Sequence, residues 1–366
     1  MNRLSSPSSG YTRTVAIHTG VHKTGTTSLQ SYFATRTRWP WGNAVLYPRS
    51  GRSPRYVPAH HNIAWEVSGD PRFTPRFGTI ADLRRELAGH EGDVLMSSED
   101  FTMAAFRPEA FADFVRALQG DGFRVVLVVF LRNQASHAVS MYMTLLGMGY
   151  DRDFRSFLDE MCDRGEVRYR QWIMPYGYDR YLESLQDLPA ELRVRSYDVA
   201  ARTDALLATF LDACGFESHG LGGGRLRRVH AAAAEWEAMR LFHRNAIGPL
   251  SPAVRRALSA SERSLQRLRS YTEIERARLE DRFGGGNRVV RDRWGVELNP
   301  LTERDNSAEG KWASLTDLFS RDYHRSLAEV GSEQTRRGML TSLASRPGDV
   351  VKSIRDRAVE WVRRRS

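Results

Sequence analysis

Residues 20–27 read Gly-Val-His-Lys-Thr-Gly-Thr-Thr, and this stretch decides how the chain is expected to fold. A short apolar run, Val15-Ala16-Ile17, precedes it, and a helical pattern begins at Ser28. This order predicts a strand, a glycine-containing turn and the start of a helix. Such a turn directs free backbone N–H groups and the positive end of a helix at an anion, usually a phosphate. An ordinary strand-to-helix turn is the simpler interpretation, which two glycines alone do not exclude.

Lys23 is the residue of this turn that arginine would replace poorly. Only three of the 54 Lys and Arg residues in the chain are lysines, at positions 23, 311 and 352. A compact ammonium group can sit on a single oxygen as a point charge. In the standard nucleoside triphosphate loop the lysine follows the second glycine, whereas Lys23 precedes Gly25. The sequence therefore predicts an anion site in which the lysine comes from an earlier position on the loop than in the nucleoside triphosphate loop.

The overall charge of the chain favours an anionic partner. Its formal net charge is +10 and its pI is near 9.9. The arginines are scattered, and neither zinc-finger spacing nor an aromatic RNA-binding signature is present, so we expect no nucleic-acid partner. An anionic small molecule, an acidic glycan or an anionic membrane surface would fit the charge.

Cysteine content and hydropathy predict a cytoplasmic protein. Cys162 and Cys214 are the only cysteines, too few for a disulfide scaffold. The polar stretch from Met1 to Thr14 lacks the apolar core of a secretory signal. The longest wholly apolar run, Val125–Leu131, has seven residues, whereas a membrane span needs about 20.

The alternation of strands and helices predicts an α/β fold with three layers and a mostly parallel sheet. We predict strands over 14–19, 93–98, 124–131 and 191–196, and helices over 26–36, 80–88, 108–119, 134–146 and 204–213. Residues 39–70 are broken by proline and glycine and contain His60-His61. In such a fold the C-terminal ends of the parallel strands share one edge of the sheet, where ligands bind.

Outside this core, composition suggests three further segments. Residues 1–13 are predicted to be a flexible tail, and residues 14–224 the α/β core. Residues 225–340 are expected to be a mainly helical extension on the acceptor side, with Gly284–Asn287 ending one long helical stretch. Residues 341–366 contain a basic amphipathic helix. This helix is expected to dock on the protein itself or a partner, including a second copy, or to contact the inner face of a membrane.

Two more groups are predicted at the ligand edge. Arg132 ends one strand and Ser140 follows it by eight residues in the next helix, so the two could converge on a second phosphate. Glu99 lies at the end of another strand, where a carboxylate could act as general base for a hydroxyl group. Glu99 and Asp100 could equally belong to the N-cap region of the next helix.

In these motifs the chain resembles the sulfotransferases that use 3′-phosphoadenosine 5′-phosphosulfate (PAPS). The K-T-G-T-T segment, Lys23–Thr27, matches the family's loop for the 5′-phosphate and sulfate of the donor. Arg132 and Ser140 match its 3′-phosphate motif in residue type and spacing. Val194–Asp198 and the later Phe210-Leu211 are similar to another recurrent segment. The resemblance covers about residues 14–216 and is nearest to bacterial carbohydrate-type sulfotransferase domains.

The resemblance implies a role for each matched residue. It assigns donor binding to Lys23, Thr24, Gly25, Thr26, Thr27, Ser28, Arg132, Ser140 and Tyr197. Lys23 would also stabilise the leaving group, Glu99 would be the base, and no metal would be needed. The expected activity is sulfuryl transfer from PAPS to a hydroxyl, or less readily an amine, of a carbohydrate or glycoconjugate.

The chain also departs from the family pattern. Cytosolic members that act on phenols and steroids have a catalytic histidine where this chain has Glu99, which favours a sugar-like acceptor. His61 is a rival base in a stretch interpreted as a surface loop. In many family members a lysine precedes the base, whereas this chain has Ser97 and Ser98 there. Gly310-Lys311-Trp312 matches only three residues of the C-terminal loop with which cytosolic members cover the donor.

Two other functions remain compatible with the sequence. One is an ATP-dependent small-molecule kinase on a related P-loop scaffold, which would require Mg²⁺. The other is a non-catalytic binding protein that docks through its basic C-terminal half. Retention of Lys23, Glu99, Arg132 and Ser140 favours an enzyme over this binding protein.

Overall fold

The computed structural model describes residues 13–34, 45–52, 58–147, 154–203, 205–216 and 273–298, together with residues 150 and 152. The strands are β1 (Arg13–His18), β2 (Val45–Leu46), β3 (Asp93–Ser97), β4 (Phe123–Leu131), β5 (Glu166–Tyr169), β6 (Trp172–Pro175) and β7 (Glu191–Ser196). The helices are α1 (Thr26–Ala34), α2 (His61–Ser68), α3 (Ile80–Ala88), α4 (Phe101–Ala104), α5 (Pro108–Gly120), α6 (Gln134–Gly147), α7 (Phe154–Arg164), α8 (Tyr178–Gln186), α9 (Tyr197–Arg202), α10 (Leu206–Cys214) and α11 (Glu273–Trp294).

Five strands form a parallel sheet in the order β2-β3-β1-β4-β7. β1 lies at its centre, with Val15 opposite Val94 of β3 and Val125 of β4. β4 is an almost continuous apolar run because both of its faces are covered. The sequence prediction of an α/β fold with a mostly parallel sheet is therefore confirmed. β5 and β6 form a separate antiparallel hairpin.

Alternating strand residues supply two hydrophobic cores, one on each face of the sheet. On one face Val15 and Ile17 pack with residues of α2, α3, α5 and α8. On the other face Ala16 packs with Leu29 and Phe33 of α1 and with residues of α10. The sheet is thus the middle layer of three.

The chain separates into two compact units. The first contains the described residues within 1–133, 164–228 and 283–298, and therefore holds the whole parallel sheet. The second contains those within 134–163, 229–282 and 299–366, including α6 and α7. Of the predicted tail at 1–13, only Arg13 is described, and it begins β1. Most of the helical extension at 225–340 and the terminal helix at 341–366 lie outside the described residues.

The prediction that Gly284–Asn287 ends a helix is wrong. α11 continues through these residues as far as Trp294. At Gly286 a Cβ atom would lie 2.7 Å from the carboxylate carbon of Asp179, which is in the first turn of α8. The glycine is explained by this close contact rather than by a turn.

The interpretation of residues 39–70 as an irregular loop is also wrong in part. The described part of this segment contains β2 and the helix α2, which begins at His61 and ends at a left-handed Gly69. His60 has no exposed surface, so the His60-His61 pair does not lie in a surface loop. Within the described ranges, every helix is too short or too polar to cross a membrane.

Candidate functional site

The candidate site lies at the edge of the sheet where the parallel strands end. β1 ends at His18, β3 at Ser97, β4 at Leu131 and β7 at Ser196. Because the strands are parallel, the loops that follow them share this edge. The predicted site residues of the first unit follow directly after these strands.

The loop between β1 and α1 has a conformation suited to binding an anion. Lys23 and Gly25 adopt left-handed backbone conformations, with φ of 67° and 80°. The Thr24 hydroxyl donates to the Val21 carbonyl at 2.7 Å and thereby braces the turn from inside. The residues His22 and Lys23 form a turn, and among the described residues no acceptor takes the backbone N–H groups of Lys23, Gly25 and Thr26. These three donors are therefore available to a ligand.

Gly25 is required both by its backbone angle and by its neighbours. A Cβ atom there would lie 2.6 Å from Leu206 and 3.2 Å from the Tyr197 ring. The loop is therefore packed against α9 and α10, which follow β7. Thr24 and Thr26 are buried, whereas Thr27 is exposed and Ser28 is half-buried.

Two charged groups, Arg132 and Glu99, act on the ammonium group of Lys23. Burial lowers the pKa of its ammonium group, and the positive charge of Arg132 lowers it further, while the negative charge of Glu99 acts in the opposite direction. Arg132 Nη1 also donates to the Lys23 carbonyl at 3.0 Å. The residues predicted from three separate strand ends thus influence one another at one place.

Arg132 is positioned by the segment that follows β7. Its guanidinium carbon lies 5.3 Å from the centre of the Tyr197 ring, and its Nε lies 3.9 Å from Asp198 Oδ1. Asp198 Oδ2 accepts a hydrogen bond from the Asn133 backbone at 2.6 Å. Nε of Arg132 is buried and has no hydrogen-bond partner among the described residues. The Arg132 side chain as a whole is 20% exposed, so part of its guanidinium group remains open to an anionic ligand.

Glu99 is not the N-cap residue of the helix that follows it. Gln30 of α1 donates from Nε2 to Glu99 Oε2 at 2.8 Å, and Asp100 occupies the N-cap position of α4 without a side-chain capping bond. Burial would raise the pKa of Glu99, but the nearby imidazoles of His61 and His22, together with the Gln30 hydrogen bond, outweigh burial and lower it. Glu99 is therefore favoured as an ionised carboxylate beside the loop.

Asp100 organises a layered stack that the sequence analysis did not identify. The stack consists of His61, Trp65, Arg72 and Trp172. His61 is stacked on Trp65 with the ring planes at 13°, and the Arg72 guanidinium lies 4.6 Å from the Trp65 ring and 5.0 Å from the Trp172 ring. The buried Asp100 carboxylate runs along its edge.

Every layer of this stack contacts Asp100. Trp65 and Trp172 donate their indole N–H groups to it at 2.5 and 3.2 Å. Arg72 Nη1 lies 3.3 Å from Oδ2 and His61 Nδ1 3.6 Å from it. Burial would raise the pKa of Asp100, but His22, His61 and Arg72 together hold it well below its usual range. His61 and Trp65 are one helical turn apart on α2, but Arg72, Asp100 and Trp172 come from three other segments, so local spacing does not reveal the whole stack.

The two neighbouring histidines of α2 differ sharply. His61 Nδ1 lies 2.8 Å from the Ser98 hydroxyl, at the same strand end as Glu99. His60 is buried between the Ser97 N–H and the Pro48 carbonyl, and burial lowers its pKa to about 3. The structure therefore leaves His61 near the candidate base and makes His60 a core residue.

Ser140 lies on α6, where the sequence placed it, but α6 belongs to the second unit. Its convergence with Arg132 on one ligand remains a prediction. The described residues include no group of His, Cys, Asp and Glu side chains arranged to hold a metal ion. Cys162 and Cys214 are buried free thiols.

Comparison of this chain with protein-family models, with curated proteins and with solved structures found no match in any of the three. The functional interpretation therefore depends on the motifs and on the geometry of the site.

Proposed function

We propose that this protein is a PAPS-dependent sulfotransferase with a P-loop-like donor site. The observation that carries the proposal is the convergence of Lys23, Arg132 and Glu99. Two cations and one carboxylate from three different strand ends act on one another around a loop with free N–H donors. A donor with two separate anionic groups and an acceptor hydroxyl would use each of these groups.

The residues present fit such a donor. The loop N–H groups and the N-terminus of α1 would hold the 5′-phosphosulfate. Arg132 would bind the 3′-phosphate through the exposed part of its guanidinium group, since its side chain is 20% exposed, and Ser140 is the second contact that the sequence motif predicts. Tyr197, which lies against both Gly25 and Arg132, would line the same site.

The chemistry follows from the charges. PAPS supplies an activated sulfuryl group when bound. Glu99 would take the proton of the acceptor hydroxyl, whose oxygen forms a bond to sulfur as the bond from sulfur to the bridging oxygen breaks. Lys23 would stabilise the negative charge that develops on that oxygen. Positioning and electrostatic stabilisation supply most of the rate in such transfers.

The acceptor is proposed to be a carbohydrate or glycoconjugate hydroxyl. This part of the proposal is supported by Glu99 at the end of β3, whose Oε2 is held by Gln30 while Oε1 remains for an acceptor. The basic C-terminal half would favour acidic acceptors.

Transfer of radiolabelled sulfate tests the proposal. The purified protein is incubated with ³⁵S-labelled PAPS and a cell extract in the presence of EDTA, and the labelled product is identified. We expect metal-independent labelling that Glu99→Gln abolishes. Consumption of ATP that requires Mg²⁺, with no transfer from PAPS, would support the kinase instead. Binding without either reaction would support the binding protein.

A further inference from the structure

Gln30 connects helix α1 to the end of β3, next to the proposed base. Its Nε2 donates to Glu99 Oε2 at 2.8 Å and to Ser97 Oγ at 3.3 Å. The Gln30 side chain has no exposed surface. Glutamine is mostly exposed in proteins, because burying an amide is costly unless it is hydrogen-bonded. Its place in the interior therefore needs a reason.

The orientation of the Gln30 amide is fixed by its partners. An ionised carboxylate only accepts hydrogen bonds, so the amide must turn its N–H groups, and not its carbonyl, toward Glu99. Ser97 Oγ is held in turn by Nδ1 of His18 at 2.9 Å, the residue opposite Ser97 on β1. His18 is fully buried, and burial lowers its pKa to about 4, so the ring is neutral at pH 7. The amide thus rests on a rigid part of the core.

The other end of the amide argues against a purely structural role. Gln30 Oε1 is buried and accepts no hydrogen bond from the described residues. A buried acceptor without a partner lowers the stability of the fold, and an apolar side chain of the same length would avoid that loss. The N–H groups that Gln30 supplies to Glu99 give a reason for keeping the amide.

Glu99 has the complementary arrangement. Its Oε2 is held by Gln30, whereas its Oε1 accepts no hydrogen bond within the described ranges, and the side chain is half-buried. A carboxylate held at one oxygen and open at the other presents a lone pair in one direction. A general base needs this, because it must lie within hydrogen-bond reach of the proton that it takes.

We propose that Gln30 is the positioning residue of the base: it holds Glu99 Oε2 so that Oε1 faces the acceptor hydroxyl. This inference rests on the proposed function. The acceptor proton moves to Glu99 Oε1 while the acceptor oxygen bonds to sulfur and the bond from sulfur to the bridging oxygen breaks. Gln30 keeps both of its amide protons throughout.

Titratable groups act on Glu99 from several elements. They are His18 at the end of β1, His22 and Lys23 in the loop after it, Tyr47 after β2, His61 on α2, and the adjacent Asp100. A change at Gln30 leaves all of these in place. Loss of its hydrogen bond should therefore raise the pKa of Glu99, because the ionised form alone loses a donor.

The first experiment measures the pKa of Glu99 by ¹³C NMR of glutamate-labelled protein, with Glu99→Gln used to assign its signal. Gln30→Met keeps the length of the side chain without its donors, and Gln30→Asn keeps the amide but withdraws it by one methylene. Both should raise the pKa of Glu99. Gln119→Met is the matched control, because Gln119 of α5 makes one hydrogen bond, to the Pro189 carbonyl at 2.6 Å. An unchanged pKa in both Gln30 variants, or an equal rise in Gln119→Met, would overturn the inference.

The second experiment measures transfer from PAPS as a function of pH. Gln30→Met should lower kcat by roughly 10²-fold, which is what a displacement of about 1 Å at a reacting group costs. The acidic limb of kcat/KM should move to higher pH, because the base is protonated at higher pH. The affinity for adenosine 3′,5′-bisphosphate, measured by calorimetry, should stay unchanged, since the Gln30 side chain bonds to Ser97 and Glu99. Gln119→Met should keep the wild-type rate and profile.

The outcomes separate the two proposals. Wild-type kcat and pH profile in both Gln30 variants would overturn the positioning role and leave the sulfotransferase proposal intact. Equal losses of kcat and of affinity for adenosine 3′,5′-bisphosphate would indicate a structural role for Gln30 and would also overturn it. Absence of transfer by the wild-type protein would instead refute the proposed function, and the positioning role with it.

Discussion

At the scale of single residues, Lys23 is the position where sequence and structure give the most specific expectation. Its left-handed backbone, its burial and its contact with Arg132 are unusual for a lysine in a surface turn. A side chain placed at this cost is expected to serve a function rather than to stabilise the turn.

Lys23→Ala should lower kcat by roughly 10²–10³-fold, because one donor to the developing negative charge is lost. The affinity for adenosine 3′,5′-bisphosphate, measured by calorimetry, should change little, because the loop N–H groups remain. Lys23→Arg is the matched variant and should restore only part of the rate, since the larger guanidinium cannot occupy the same position. Wild-type turnover in Lys23→Ala would contradict the assignment.

Arg132→Ala should mainly weaken donor binding. Loss of a charge-assisted hydrogen bond costs about 1.5–3 kcal/mol, which corresponds to roughly 10–100-fold in the Kd for adenosine 3′,5′-bisphosphate. Arg124, near the opposite end of β4, is the control, since its side chain is 44% exposed and lies at the far edge of the sheet. Equal effects of Arg124→Ala and Arg132→Ala would show that only overall charge matters.

At the scale of secondary structure, most strands and helices of the sheet region could be predicted from the sequence. The helix over 80–88 and the strand over 191–196 agree with α3 and β7 at both ends. β4 differs by one residue, and α10 begins at Leu206 rather than at residue 204. Periodicity and local caps suffice here because the signals are contained within each segment.

Glycine in α11 misled the sequence analysis because its reason lies in another helix. Nothing near Gly284–Asn287 in the chain reveals that Asp179 of α8 lies against Gly286. β5, β6, α7 and α8 were not predicted either, although the buried residues of α8, Tyr178, Tyr181, Leu182 and Leu185, have helical spacing.

The two central glycines of α11 should respond differently to alanine. A Cβ at Gly285 would meet only Arg288 Nη2, at 3.9 Å, so Gly285→Ala should raise the free energy of unfolding by about 1 kcal/mol through helix propensity. Gly286→Ala should not raise the free energy of unfolding, because the new Cβ would displace the Asp179 carboxylate. Urea denaturation of the two variants measures the difference. Equal stabilisation would show that the contact with Asp179 is unimportant.

At the scale of the whole molecule, buried histidines should set the response to acid. His18 and His60 are fully buried, and burial lowers their pKa values to about 4 and about 3. The unfolded chain, in which histidine has a pKa near 6.5, binds these protons more readily. Stability should therefore fall as the pH is lowered below about 6.5.

His60→Gln should reduce this loss. Between about pH 6 and pH 4.5 the variant should lose about 1.4 kcal/mol less per pH unit than the wild type, because one proton fewer is taken up on unfolding. The upper end of the window lies near the pKa of unfolded histidine. The lower end of the window excludes the protonation of Glu86 and Glu99. Their pKa values are lowered in the folded protein, so they reduce stability only at more acidic pH. Urea denaturation at several pH values measures the slope. An unchanged slope would contradict the prediction.

The sequence alone determined the α/β class, the parallel core and the residues that follow each strand, because apolar periodicity and strand-end chemistry are local properties. It also indicated Lys23, Glu99 and Arg132, since parallel topology brings strand ends to one edge. Only the tertiary structure assembled His22, Asp100 and the Trp65–Arg72–Trp172 stack. Trp65 is 35 positions from Asp100 along the chain, and Trp172 is 72 positions from it. Contacts over such distances depend on how the elements pack, and local sequence patterns do not record that packing.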